Sequence, residues 1–189
     1  MERRKRRGRT SGHRSRTPRR AQVVGSRMNA DCSRSEVYAA EVAAFDGTDL
    51  ESVLPFETIA RTIASVVAGE WWPGPPVDVQ PARRDAASSS TRSQDGGTVV
   101  IRFAAGQLTT ATAAHELAHA LAGPAVGHSP IFLAAYLDVV EVITNVDARD
   151  RRRRLHVDQL GRSLDAAGLE VGRRWWPAPP DGISAAIAL

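Results

Sequence analysis

The sequence predicts an α+β fold, mostly helical, with a small antiparallel sheet lying beside one central helix. Three observations carry that expectation. Apolar residues recur at helical spacing over several separate stretches, whereas period-two alternation is confined to two short runs around residues 77–79 and 98–103. The stronger of these runs, Thr98-Val99-Val100-Ile101-Arg102-Phe103, leads within a few residues into a stretch of Ala, Leu and Thr that holds His115-Glu116-Leu117-Ala118-His119. A length of 189 residues with 42% hydrophobic content suits one domain able to bury a core, plus ragged ends.

Taken in order, residues 1–27 form a basic arm, with eleven Arg and Lys against the single acid Glu2. The formal charge of +4 therefore hides an acidic body, because the remainder holds 14 basic and 20 acidic residues, a net of −6. The arm has almost no apolar residues and cannot build a core. One reading makes it a tether to nucleic acid or another acidic surface. The other makes it a disordered extension upstream of a start at Met28, and this one is favoured. Its short Ala21-Gln22-Val23-Val24-Gly25 run cannot serve as a signal-peptide apolar segment, and no window approaches a transmembrane span. The single cysteine, Cys32, cannot form an internal disulfide, which agrees with a reducing cytoplasm.

The domain proper is expected over residues 28–171. A first helix is predicted for residues 35–45, with Val37, Tyr38, Glu41, Val42 and Phe45 sharing a face and Asp46-Gly47-Thr48 stopping it. A second spans about residues 55–68, with Phe56, Ile59, Ile63, Val66 and Val67 as its stripe and Gly69 at its end. Trp71-Trp72-Pro73-Gly74-Pro75-Pro76 follows as a rigid turn. A near copy, Trp175-Trp176-Pro177-Ala178-Pro179-Pro180, stands at the other end of the chain and is read as coincidence rather than a repeat unit. Val77-Asp78-Val79 begins a strand, and residues 83–97 read as a mobile loop or wide hairpin turn. The histidine-bearing helix runs from Thr109 or Thr110 to Leu121. Ser129 then caps another helix with Pro130 in its first turn, whose apolar stripe (Ile131, Phe132, Ala135, Val139, Val140 and Ile143 among others) packs on the histidine helix. Residues 147–154 are a charged patch read as solvated helix surface, a last helix covers about residues 157–167, and residues 172–189 form a loose Pro-rich tail.

The chemistry is concentrated in one place. Positions i and i+4 share a helix face, so His115 and His119 can present their imidazoles to one point, with Glu116 placed to act on a water bound there. A catalytic zinc takes three protein ligands and keeps a fourth position open. His128, in Gly127-His128-Ser129-Pro130, can supply the third if the chain turns back at Gly123-Pro124. Three neutral imidazoles would leave most of the charge of a Zn2+ cofactor intact, enough to lower the pKa of its water toward ~7. Tyr136, Arg102 and His156 are candidates for a second oxyanion donor, and Asp138 and Glu141 for groups that orient the imidazoles.

His115-Glu116-Leu117-Ala118-His119 followed by Gly127-His128-Ser129-Pro130-Ile131-Phe132 resembles the active site of SprT-like zinc metallopeptidases, whose G-H-G-x-x-F segment brings the third ligand. Together with Arg34-Ser35-Glu36-Val37-Tyr38-Ala39-Ala40-Glu41, it is more closely similar to an actinobacterial family of small zinc metallohydrolases. The resemblance spans about residues 31–171. It implies a zincin-like domain, His115, His119 and His128 as metal ligands, Glu116 as general base, and a peptide or protein as substrate. It also implies that the strand before the histidine helix flanks the site and pairs with extended substrate, against the plain alternative of a core strand. Ser129 stands where the pattern has glycine, and Ile131 where it often has an acid.

The expectation is thus a cytoplasmic zinc-dependent hydrolase, with no membrane contact and an oligomeric state the sequence does not give. Two alternatives accompany it. One is a DNA-associated SprT-like protein processor recruited by the basic arm, although no zinc-ribbon cysteines follow the domain. The other is a non-catalytic, metal-stabilised module in which Glu116 would be dispensable.

Overall fold

The computed structural model describes residues 33–144 and 152–179. The basic arm, Cys32, most of the charged patch of residues 147–154 and the last ten residues fall outside them. Five helices are described, α1 (Arg34–Phe45), α2 (Phe56–Ala68), α3 (Thr110–Ala122), α4 (Pro130–Ile143) and α5 (Arg152–Ala166), with three strands, β1 (Val77–Pro81), β2 (Ser90–Ser93) and β3 (Val99–Phe103). The α+β class predicted from the sequence is the one observed. Among the described residues no helix is long and apolar enough to cross a membrane.

The sheet departs from expectation in two ways. Its order is β1-β3-β2, with β1 parallel to β3 (Val77 opposite Val99) and β2 antiparallel to it (Ser90 opposite Arg102), so the sheet is mixed rather than antiparallel. The second departure is β2 itself, which lies inside the stretch read as a loop. Ser90, Thr91, Arg92 and Ser93 offer no apolar alternation, because an edge strand needs none. Residues 95–97 close a tight hairpin to β3, across which the Gln94 amide donates to the Thr98 carbonyl at 2.8 Å. In β3, Val99, Ile101 and Phe103 join the core while Arg102 points to the opposite, exposed face.

α3 and α4 pack most extensively on each other. The alanines at 111, 113, 114, 118, 120 and 122 let the two backbones approach closely, and α4 is consequently buried on nearly every side. Thr109 caps α3 by accepting from the Thr112 amide at 3.1 Å. Ser129 occupies the corresponding place before α4 but makes no cap, and its hydroxyl is buried without a partner. α1 lies against α5, and this rotates it from the expected face: Val37, Ala40, Ala44 and Phe45 are buried, while Tyr38 and Val42 are exposed.

The C-terminal segment up to Pro179 is docked rather than loose. Gly172 donates its amide to the Pro130 carbonyl at 2.7 Å, Trp176 is buried and donates to Asp138 at 2.8 Å, and Arg174 pairs with the other Asp138 oxygen at 3.1 Å. The two Trp-Trp-Pro segments also meet, the Trp71 indole donating to the Pro177 carbonyl at 3.1 Å.

Candidate metal centre

Each histidine reaches the site from a different local feature. α3 places His115 and His119 one turn apart on the face turned toward α1 and α4. His128 comes from the connection between α3 and α4, which doubles back through a single 3-10 turn, Pro124–Val126. Two glycines make that reversal possible: Gly123 sits at φ 103 and Gly127 at φ 57 with ψ −147, backbone conformations that L side chains rarely adopt. The expected break at Gly123-Pro124 is therefore present, and His128 folds back onto the other two.

The three side chains can each offer one nitrogen, and these lie within 4.8 Å of one another. Nε2 of His115 faces Nε2 of His128 at 3.2 Å. That separation is close to the ~3.3 Å edge of a tetrahedron with metal–nitrogen bonds of about 2.0–2.1 Å. The Nδ1 of His115 is committed elsewhere, donating to Oε2 of Glu41 at 3.1 Å. With Nδ1 engaged by Glu41, the Nε2 of His115 is the nitrogen left facing His128, and a metal ion would sit between the two. Nδ1 of His119 is buried with no hydrogen-bond partner. Burial and the neighbouring His115, His128 and Arg34 push the His119 pKa from 6.5 down to about 3, so it is held neutral, the form that ligates. Three imidazoles converging on one point, each able to offer a nitrogen, fit a transition-metal ion.

Glu41, to which the sequence assigns no role, is the group that orients His115. It projects from α1 under His115, and its other oxygen accepts from the Tyr136 hydroxyl at 2.8 Å. Tyr136 is fully buried in α4, and burial together with Glu41 pushes its pKa well above 10. It therefore remains a donor, and three helices are joined through one Tyr136–Glu41–His115 chain. The spacing of Tyr38 and Glu41 on a helix was the only signal in the sequence, and it looks like an ordinary amphipathic face.

The other predicted supporting residues stand elsewhere. Tyr136 is behind His115, bonded to Glu41, rather than facing a substrate. His156 pairs with Asp49 at 3.1 Å, and Arg102 lies on the far face of the sheet. Asp138 holds Trp176 and Arg174, and Glu141 acts on Asp138 electrostatically.

Glu116 is buried beside the histidines, and its carboxylate accepts a 2.6 Å hydrogen bond from the Thr91 hydroxyl of β2. Burial raises its pKa above 4.5. The Thr91 bond and His115 work against that rise, and Glu41 adds to it. Aromatic rings frame the cluster: Phe132 lies 4.3 Å from His119 and about 5 Å from the other two imidazoles, and Tyr38 stacks on His115 at 5.4 Å and 10°. Arg34 covers the outer face of Tyr38 at 5.5 Å. Above the cluster opens a cleft of about 360 Å³ walled by Arg34, Tyr38, Ser89 to Thr91 and the turn at Pro124 and Ala125. The strand at this cleft is β2, whereas β3, expected there, is the central strand with partners on both sides and no edge to offer.

No family model, curated protein or solved structure matches the chain.

Proposed function

We propose that the protein is a zinc-dependent hydrolase that cleaves peptide bonds, with His115, His119 and His128 as the metal ligands and Glu116 as the general base. The observation that carries this reading is the convergence of three imidazoles and one buried carboxylate on the floor of a single open cleft. Held by these three imidazoles, zinc would supply Lewis acidity and would lower the pKa of a water toward ~7. Zinc is favoured over other metals by the all-imidazole set with a carboxylate beside it that is free to act as a base.

Glu116 takes a proton from the attacking water and returns it to the departing amine. Its raised pKa suits both halves of that cycle, because a strongly acidic carboxylate would accept the proton poorly. Thr91 fixes the carboxylate rotamer, and Glu41 holds His115 with Nε2 turned inward. Tyr38 and Arg34 line the cleft and are the donors best situated to meet a developing oxyanion, in place of Tyr136, Arg102 and His156.

The test begins with elemental analysis of purified wild type, His119→Ala and His128→Ala. About one zinc per chain, lost in both variants, is the expected result. Glu116→Gln should keep the metal while peptide hydrolysis falls by about 10²–10⁴-fold. Full activity in that variant would make the site a structural one.

A further inference from the structure

A second cleft, of about 590 Å³, adjoins the first and is lined by Arg83, Arg92 and Arg102, with Asp85 the one acid among its walls. Ser90 borders both clefts. All three arginines are exposed, and none is engaged in an ion pair with the described residues. Three cations against one carboxylate leave this cleft locally positive on a body that is acidic overall.

The strand register explains how the clefts are joined. Thr91 reaches inward to Glu116, so its neighbours Ser90 and Arg92 face the other side of the sheet, where Ser90 stands opposite Arg102. The Gln94 amide bonds toward β3, and by antiparallel alternation Thr91 and Ser93 turn their backbone groups to the open edge of β2. A chain lying extended along that edge would send alternate side chains to opposite faces. One set would enter the histidine cleft, and the other would pass over Arg92 and Arg102.

We propose that this arginine-lined cleft is a specificity subsite for acidic side chains, so that the substrate is an acidic peptide segment bound along β2. The inference rests on the hydrolase reading for its meaning, but the subsite itself uses none of the histidines. Guanidinium groups around a concave pocket match carboxylates in geometry as well as charge. Because the residues after the arm carry a net −6, this local cation cluster is what distinguishes the cleft from the rest of the body.

The experiment is calorimetric titration of zinc-loaded Glu116→Gln protein with two unlabelled octapeptides of alternating sequence, Glu-Ala and Lys-Ala. The Glu-Ala peptide should bind in a salt-sensitive manner and the Lys-Ala peptide should not. The double substitution Arg92→Glu with Arg102→Glu should weaken Glu-Ala binding at least about tenfold, with zinc content and thermal unfolding unchanged. Metal-stripped protein should keep the same preference. Equal binding of both peptides, or indifference to the charge reversal, overturns the subsite. So does tighter binding of a single-stranded oligonucleotide of equal charge, which would assign the cleft to nucleic acid. Failure of wild type to cleave any peptide would sink the hydrolase reading and leave the charge preference to be judged by binding alone.

Discussion

Glu41 carries more of the site than a residue 74 positions from His115 would suggest. Its two oxygens are both engaged, so removing it would free the His115 ring and strand the Tyr136 hydroxyl in a buried place. Glu41→Gln should weaken metal binding by about 10–100-fold, measured by competition with a chromogenic chelator, and Tyr136→Phe should weaken it less. His119 governs a different observable. Its pKa is lowered from 6.5 to about 3 on folding, so between those values the unfolded chain binds a proton that the folded one refuses. The stability due to neutral His119 is complete above about pH 6.5 and is lost as pH falls toward 3, with a slope of at most about 1.4 kcal/mol per pH unit. Glu116, whose pKa is raised, contributes with the opposite sign: its stabilisation holds below 4.5 and fades as pH rises. Urea unfolding of metal-free protein from about pH 7 to pH 5 should show a loss of stability that His119→Gln flattens.

Among the elements, the turn between α3 and α4 is the most exacting. Gly127 immediately precedes a proposed ligand in a conformation nearly reserved for glycine. Gly127→Ala should cost about 1–3 kcal/mol in chemical denaturation and lower metal affinity, because relief of the strain displaces His128. Phe132, in the first turn of α4, packs against all three imidazoles and is itself fully buried. Phe132→Ala should cost about 3–5 kcal/mol and loosen the cluster, which a fall in metal affinity would report. The helices on either side of this turn were legible because apolar period, the Thr109 cap of α3 and the proline opening α4 are local properties. β2 was not, since a short polar edge strand is selected by its neighbour β3 and by the Thr91–Glu116 contact rather than by its own composition.

For the molecule as a whole, the C-terminal segment acts as a strap. It crosses the start of α4 at Gly172, inserts Trp176 against Asp138 and closes on Trp71 through Pro177. Trp176→Ala should therefore destabilise the fold by about 3–5 kcal/mol, read as a lowered thermal midpoint, while leaving the metal stoichiometry intact. Composition had suggested the reverse, because proline-rich ends with scattered charge are so often untethered. What the sequence determined by itself is the set of helices, the α+β class and the three histidines with their glutamate, all of which follow from spacing within a few turns of chain. The tertiary structure alone decided that the paired Trp-Trp-Pro segments touch, that β3 is central and β2 the edge, and that Glu41 rather than Asp138 orients His115. Those outcomes depend on which faces of distant elements find each other, and hydrophobic periodicity records that a face is buried without recording what buries it.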